Sequence, residues 1–304
     1  MGRILMTGAT GFLGRNVAWR LVQNGHEVAN LQRSSSSRDL LDANVLGRTV
    51  QSLQLTDDLQ SAYSAVREYE PDCVISIAAM AGNASTPDLI SKMLQSNVAL
   101  PCALARGMVD VNKRAFISCG SSWQTCAMDG SYSPFDFYAG TKQAWDDLSR
   151  TYADLGLNVT SLRMFDNYGP GDSRNKIVDL IFKTAVSGDR LDMSPGEQKM
   201  DLVYVDDAAI ATVMAAEQAM ESRSSGLNIY GVSTRIHTKL KDVATMVQEV
   251  TGLPVDINWG GRSYRPREVM VPYSGLTTVP GWSPKTSLKD GLKRVWNAYC
   301  EKQK

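Results

Sequence analysis

Three side chains near the middle of the chain have the types and the spacing to handle a proton at a carbonyl oxygen. They are the hydroxyl of Ser121, the phenol of Tyr138 and the amine of Lys142, all within "FISCGSSWQTCAMDGSYSPFDFYAGTK", residues 116–142. Tyr138 and Lys142 are four positions apart, so on a helix they share a face. A free phenol titrates near ~10 and is a poor acid–base group at neutral pH. A neighbouring ammonium favours the phenolate, so the pKa of Tyr138 is expected to be lowered. A serine hydroxyl at a strand end can hold the carbonyl oxygen meanwhile, and Ser122 offers the same group one residue on. An amphipathic helix also carries Tyr and Lys at this spacing by chance, so the elements around the three residues decide whether they meet.

Those elements begin at the N-terminus. "TGATGFLG" sets Gly8, Gly11 and Gly14 between the apolar run "RILMTG" and the helical pattern "LGRNVAWRLVQNG". The spacing GxxGxxG is a variant of the dinucleotide fingerprint. Its glycines permit a tight turn, close approach of backbone to pyrophosphate and close packing of helix on strand, while the helix N-terminus attracts the anion. Thr10, Phe12 and Leu13 belong to the same turn. The second strand ends in "ANLQRSSSSR". A carboxylate there would chelate the ribose hydroxyls; the chain instead has Gln32, then Arg33, Ser34 and Arg38. A guanidinium among hydroxyls suits a 2′-phosphate, so NADPH is expected rather than NAD.

"HEVANLQ", "RTVQSLQL", "DCVISIAA", "KRAFISC" and "NVTSLRMF" continue the series of strands. "LQSAYSAVREYEP", "SNVALPCALARGMVD" and "YAGTKQAWDDLSRTYADLG" read as the intervening helices. Such alternation predicts an α/β fold, a Rossmann-type doubly wound parallel sheet with helices on both faces. After "YGPGD" the rhythm breaks into short helices and Gly- and Pro-rich loops. This predicts a smaller, discontinuous C-terminal α/β lobe for substrate. The expected division is 1–168 with 201–234 for the dinucleotide, and 169–200 with 235–304 for the substrate. "FISCGSSW" then falls at the carboxyl edge of the fifth strand, where open sheets of this kind bind ligands.

Composition narrows the partners. The chain has 304 residues, with Lys plus Arg and Asp plus Glu both 32 and no long run of one sign. Sequence-independent nucleic-acid binding has no electrostatic basis in that balance. No window approaches ~18 consecutive apolar residues, so no membrane helix is expected. The N-terminus opens into "RILMTGATG" with no separate apolar segment or cleavage site, and Met6 stands where a myristoylation signal wants Ser or Thr. Five cysteines without CxxC spacing and only two histidines, His26 and His237, argue against a metal centre. Reduced cysteines and a cytoplasmic protein are expected.

With these pieces in order the chain resembles the extended short-chain dehydrogenase/reductase family over nearly its full length. "TGATGFLG", "DCVISIAA", "SNVAL", "YAGTK", "LRMFDNYGPGD", "DLVYVDD" and "GWSPKTSLKDGL" carry the resemblance. More narrowly, "GSSWQT", "YAGTKQA" and "SPGEQ" are similar to the branch of CDP-abequose and CDP-paratose synthases, which reduce a 4-keto sugar. The resemblance implies catalytic roles for Ser121 (or Ser122), Tyr138 and Lys142, with Lys142 also on the nicotinamide ribose. It implies cofactor contacts from Ala78 and Asn97 as well. A nucleotide-diphosphate sugar would meet Ser122, Trp123, Asp166, Asn167, Lys176 and Arg265, the last clamping the diphosphate. Trp123 can stack on sugar or base, or be a core residue, and Arg265 can be a plain surface arginine. A homodimer is expected too. Gln54, Met200 and Asp166 depart from the wider pattern, which has an adenine-contacting Asp, an Arg and a sugar-binding Asn at those places.

The leading expectation is an NADPH-dependent 4-ketoreductase. A 4-epimerase would use the same three residues but keep NAD tightly bound. A 4,6-dehydratase needs an acidic pair where this chain has Ser122 and Trp123. A non-catalytic NADP sensor would have no use for Tyr138 and Lys142.

Overall fold

Short apolar runs alternating with amphipathic stretches give βαβ units, and the computed structural model, which describes residues 1–45, 50–82 and 84–301, shows them in chain order. The first part contains β1 (Arg3–Thr7), α1 (Phe12–Gln23), β2 (Glu27–Arg33), α2 (Asp39–Val45), β3 (Gln51–Leu55), α3 (Leu59–Tyr69) and β4 (Cys73–Ser76). It continues with α4 (Pro87–Leu94), α5 (Leu100–Asp110), β5 (Ala115–Ser121), α6 (Phe137–Asp154) and β6 (Asn158–Met164). Then follow β7 (Asp166–Tyr168), α7 (Ile177–Ser187), β8 (Leu191–Met193), β9 (Lys199–Met200), β10 (Leu202–Tyr204) and α8 (Val205–Glu221). The chain ends with β11 (Gly226–Val232), β12 (Thr238–Lys239), α9 (Leu240–Thr251), β13 (Ile257–Trp259) and α10 (Leu288–Glu301).

Seven strands form one sheet in the order β3-β2-β1-β4-β5-β6-β11, every neighbouring pair parallel. The chain winds outward from β1 through β2 to β3, then returns to β4 on the other side of β1. That reversal opens a crevice at the carboxyl ends of β1 and β4. The central strands β4 and β5 are buried at every position because both faces are covered, while the edge strand β3 stays part-exposed. Ile4, Met6, Ile75 and Ile117 pack on one face with Val17 and Leu21 of α1 and Ala208 and Ala216 of α8. Leu5, Val74 and Phe116 point the other way, against Val66 of α3, Leu104 of α5 and Trp145 of α6.

A third apolar cluster lies apart from the sheet and joins α7, α9 and α10 through Ile181, Phe182, Val243, Val247 and Leu292. β10 serves both regions by strand alternation: Leu202 and Tyr204 enter the third cluster, Val203 the sheet's core. The acidic residues of "DLVYVDD" brace these joints. Asp201 accepts from Ser233 Oγ and from the backbone N–H groups of Thr234 and Arg235, at 2.5–3.0 Å. Asp206 takes both arms of the Arg20 guanidinium, at 2.8 and 2.5 Å.

Several elements differ from the sequence expectation. The helix read from Ser96 starts earlier, at Pro87, where Thr86 Oγ1 accepts from Leu89 N at 3.3 Å and proline occupies the first turn. Its first turns were hard to see because Met93 is their one fully buried residue. A π-type turn at Gln95–Ala99 then leads into α5, since Pro101 lacks an N–H and cannot continue the regular ladder. The tail helices are longer than expected, with 17 residues in α8. Of the strand read as "RTVQSLQL", Arg48 and Thr49 lie outside the described residues; β3 covers the rest from Gln51.

Candidate active site

A cleft of about 1820 Å³ runs along the carboxyl edge of the sheet, and the β1–α1 turn forms its floor. Gly8 has φ +79°, and a Cβ there would stand 2.8 Å from the backbone nitrogen of Ala78. A Cβ on Gly14 would stand 1.9 Å from the carbonyl oxygen of Gly8, so helix and turn touch through bare backbone. At Gly11 a Cβ would meet only Gly8 O, at 3.3 Å, and the open side faces the cleft. Gly11 is the N-cap of α1 and supplies no side-chain cap, and the first turn of α1 has no acidic residue. The free N–H groups and the positive end of the helix therefore face the cleft with nothing to neutralise them, a fit for a pyrophosphate. Thr10, Phe12 and Leu13 line the same floor, and Ala78 does so opposite, its N–H on Thr7 Oγ1 at 3.2 Å.

Arg33 closes β2 and reaches the cleft wall. Among the described residues its guanidinium makes no hydrogen bond or ion pair. Arg38, expected to share its task, is spent within the protein. It pairs with Asp42 at 2.8 Å and donates to Val50 O at 3.0 Å, to Ser52 Oγ and to Gln32 Oε1. Ser34 does not line the cleft; Ser36 does, because the chain turns back at Arg33, with Ser36 N on Arg33 O at 3.0 Å. Asn97 also lies away from the cleft lining. Its Oδ1 accepts from Met80 N and its Nδ2 donates to Met80 O, both at 2.8 Å, and to Thr141 Oγ1 at 2.9 Å. It is a brace between the loop after β4 and α6.

Ser121, Ser122, Tyr138 and Lys142 all line the cleft. Asp136 sets the position of the last two by capping α6, its Oδ1 accepting from Ala139 N at 2.9 Å. The Lys142 Nζ stands 5.8 Å from the centre of the Tyr138 ring. The expected lowering of the Tyr138 pKa is not what the geometry gives. Burial, with the Cys119 and Asp136 side chains adding to it, pushes the phenol up to about 12. Burial also lowers the pKa of Lys142, which is 6% exposed, against the opposing pull of Cys119 and Asp146. Desolvation outweighs the lowering pull of Arg174, and among the described residues no hydrogen bond joins Lys142 Nζ to the phenol oxygen. Ser121 is nearly buried, and its Oγ accepts from Trp123 N at 3.2 Å as the cap of a short 3₁₀ turn, Ser122–Gln124. Its O–H remains a donor.

Past these residues the cleft continues into a chamber of about 440 Å³ against α7 and the third cluster. Ser122, Trp123, Asp166, Lys176 and Arg265 line both spaces. Trp123 is half-buried in the wall, its ring 4.7 Å from that of Phe135. Lys176 Nζ lies 5.6 Å from the Trp123 ring and the Arg265 guanidinium 5.7 Å from the Phe135 ring. Trp123 is thus part of the wall and not of the core, and Arg265 is aimed at the site. Asp166 is held above its ordinary pKa, first by burial, while Lys176, Arg174 and Arg265 pull it down. Asn167 lines the cleft with a buried Oδ1 that has no hydrogen-bond partner among the described residues.

Residues 4–229 match the family described as NAD dependent epimerase/dehydratase. The chain belongs to the NAD dependent epimerase/dehydratase family. Among curated relatives, a CDP-abequose synthase of Yersinia pseudotuberculosis is 28% identical over 273 residues, 89% of this chain and 91% of its own. A CDP-abequose synthase of Salmonella muenchen is 26% identical over 297 residues, 96% of each chain. Among solved structures, a UDP-glucose 4-epimerase of Thermotoga maritima with UDP-glucose superposes with a TM-score of 0.86 at 21% identity, covering 99% of this chain and all of that one. The corresponding enzyme of Stenotrophomonas maltophila, with NAD and formylated UDP-arabinopyranose, gives 0.88 at 18%, covering 100% and 99%. Both share the fold.

Sequence reasoning missed Arg174, which lines the cleft over the Phe12 ring at 4.4 Å and is steadied by Asp172 and Asn167 O. It also missed the buried group under Ser121 formed by Gln124, Asp146 and Arg163. For Gln124 a signal existed, the S-x-x-Q capping pattern starting at Ser121. For Arg163 and Asp146 none did, since their partners lie on other elements.

Proposed function

We propose that the protein is an NADPH-dependent reductase that converts the C4 ketone of a nucleotide-diphosphate-linked 4-keto-6-deoxy sugar to an alcohol. The observation that carries this reading is that Ser121, Tyr138 and Lys142 line one cleft together with the glycine cradle. The names of the CDP-abequose synthases support a nucleotide sugar as substrate. The cradle of Gly8 and Gly14 and the unpaired Arg33 fit NADPH, which supplies hydride to the ketone carbon when bound.

The residues divide the remaining work. Lys176 and Arg265 offer two cations to the diphosphate, in a wall where Met200 stands in place of an arginine. Binding energy from that end orients the sugar ring at the reacting centre. Ser121 donates a hydrogen bond to the keto oxygen. Tyr138, kept protonated by its burial, gives that oxygen the proton as hydride arrives, so ketone, hydride and proton balance to an alcohol. Gln32 and Arg33, in place of a ribose-binding carboxylate, favour an exchangeable NADPH over the tightly held NAD of an epimerase. Ser122 and Trp123 supply no carboxyl for dehydration.

The test is to offer CDP-, dTDP-, UDP- and GDP-linked 4-keto-6-deoxyhexoses with NADPH. Stoichiometric NADPH oxidation and a single C4 epimer are expected. Interconversion of UDP-glucose and UDP-galactose without added cofactor, by protein purified with tightly held NAD, would replace this reading with the epimerase.

A further inference from the structure

Beneath the strand end that carries Ser121 lies a polar group that the roles above leave unused. Arg163 on β6 and Asp146 on α6 form an ion pair at 2.5 Å with exposures of 3% and 1%. Gln124, wholly buried, sits between them. Its Nε2 donates to Asp146 Oδ2 at 3.0 Å and to Gln143 Oε1 at 3.1 Å. Its Oε1 accepts from Arg163 NH1 at 2.8 Å and from the backbone N–H of Ser121 at 2.9 Å. The Ser121 hydroxyl oxygen answers by accepting from Trp123 N, which completes a reciprocal capping box. A Cβ on Gly120 would stand 2.6 Å from Arg163 NH1 and 2.7 Å from Gln124 Oε1, so the strand has no slack above the group.

A buried ion pair is costly to form, and well-packed apolar residues would serve stability at least as well. What apolar residues could not do is accept the Ser121 N–H and fix that residue's direction. The group also touches the amine side of the site: Asp146 is one helical turn beyond Lys142 on the same face of α6. We propose that Gln124, locked by the Asp146–Arg163 pair, is a positioning residue that aims the Ser121 hydroxyl at the substrate's keto oxygen. This rests on the reductase reading for its consequence, and on the contacts just given for its geometry.

The experiment is a double-mutant cycle between Gln124→Met, which fills the volume without an acceptor, and Ser121→Ala. Gln124→Met should lower kcat by roughly 100-fold, the cost of about a 1 Å misplacement, with KM and NADPH affinity nearly unchanged. In the Ser121→Ala background the same change should cost less than about threefold, because the hydroxyl it aims is gone. An undiminished kcat in Gln124→Met, or an equal loss with and without the Ser121 hydroxyl, overturns the proposal. Should Gln124→Met not fold, Gln124→Ala, which also removes the acceptor and leaves the Asp146–Arg163 pair intact, is read in the same cycle with the same expectations. Amide hydrogen exchange gives a readout free of substrate: Ser121 and Trp123 should lose protection in Gln124→Met. A wild-type protein inert toward every keto sugar, with that protection lost in the variant, rejects the reductase reading and keeps the positioning role. Retained protection rejects the positioning role.

Discussion

At the β1–α1 turn a ligand would meet backbone, whereas in the wall of Trp123, Asp166, Lys176 and Arg265 it would meet side chains. The first surface is set by absence: glycines where a Cβ would strike a carbonyl or an amide, and a helix start with no cap of its own. The second is assembled from four separate stretches, and its charges act on one another across them. A backbone cradle tolerates no added atom but makes no choice among ligands beyond their anionic centre. A wall of side chains can be altered one group at a time, each change shifting preference without losing the site. Changes in the cradle should therefore be all or nothing, and changes in the wall graded.

Gly14→Ala should have the largest effect. Its Cβ would lie 1.9 Å from Gly8 O, and the partner is backbone that cannot swing aside. α1 must move off the turn, so NADPH binding should vanish, and stability should fall by about 1–3 kcal/mol as in an overpacked core. Fluorescence titration with NADPH and thermal unfolding measure the two. Near-normal affinity in this variant would show that the cradle is not backbone-limited, and the contrast with the wall would collapse.

Next comes the phenol. Tyr138→Phe should leave the fold and NADPH affinity intact while turnover falls roughly 10²–10⁴-fold, the usual share of a general acid. The acid form is the one needed, and the phenol is held up to about 12, so it should stay competent across neutral and moderately alkaline pH. The amine of Lys142 is lowered by burial and should lose its charge first. An alkaline fall of NADPH affinity then belongs to Lys142, whose ammonium would meet the nicotinamide ribose, and Lys142→Arg should shift that fall to higher pH. A fall that stays put in Lys142→Arg would assign it elsewhere.

The difference between the two regions also governs what was legible in the sequence. Gly8, Gly11 and Gly14 are informative in isolation because a glycine's spacing encodes a backbone need. The sheet was legible because residues such as Ile4, Leu5 and Met6 are buried on alternate faces, so the strand is apolar throughout. Tyr138 and Lys142 were legible because one helix carries both. For Arg38 the type and place that suit a phosphate were legible, but not its ion pair with Asp42 one turn on. Nor were the bonds of the Asn97 amide to Met80 and Thr141 legible, contacts that only the fold brings near. The shift at Tyr138 was read with the wrong sign because spacing reports which charges are close and not how much water burial removes. Gln124, Asp146 and Arg163 come from three elements, and no local pattern names such a trio.

Arg33→Ala tests the point where cradle and wall meet, since the residue is a side chain on the cofactor's side. If it pairs with a 2′-phosphate, losing a charge-assisted contact of roughly 1.5–3 kcal/mol should weaken NADPH binding by about one to two decades. NADH affinity should barely change. Equal affinities for the two cofactors in the unmutated protein would remove Arg33 from the selector.

The smallest expected effect is at Asp166, and it separates function from stability. Asp166→Asn keeps size and an acceptor, so the sugar contact should weaken by a neutral hydrogen bond's worth, about 0.5–1.5 kcal/mol, or roughly two- to tenfold in KM. The fold should gain. A carboxyl whose pKa is raised on folding is ionised at a cost in the native state at neutral pH, and that cost disappears as pH falls through the raised native pKa. The Asn variant should accordingly melt higher than wild type at neutral pH, with the gap closing toward acid. Lys176, Arg174 and Arg265 set the limit of that gain, because each loses an opposite charge when Asp166 becomes neutral. A variant that melts lower at neutral pH would mean that the three cations outweigh burial. The wall would then hold Asp166 as part of its own structure and not as a group kept free for the substrate.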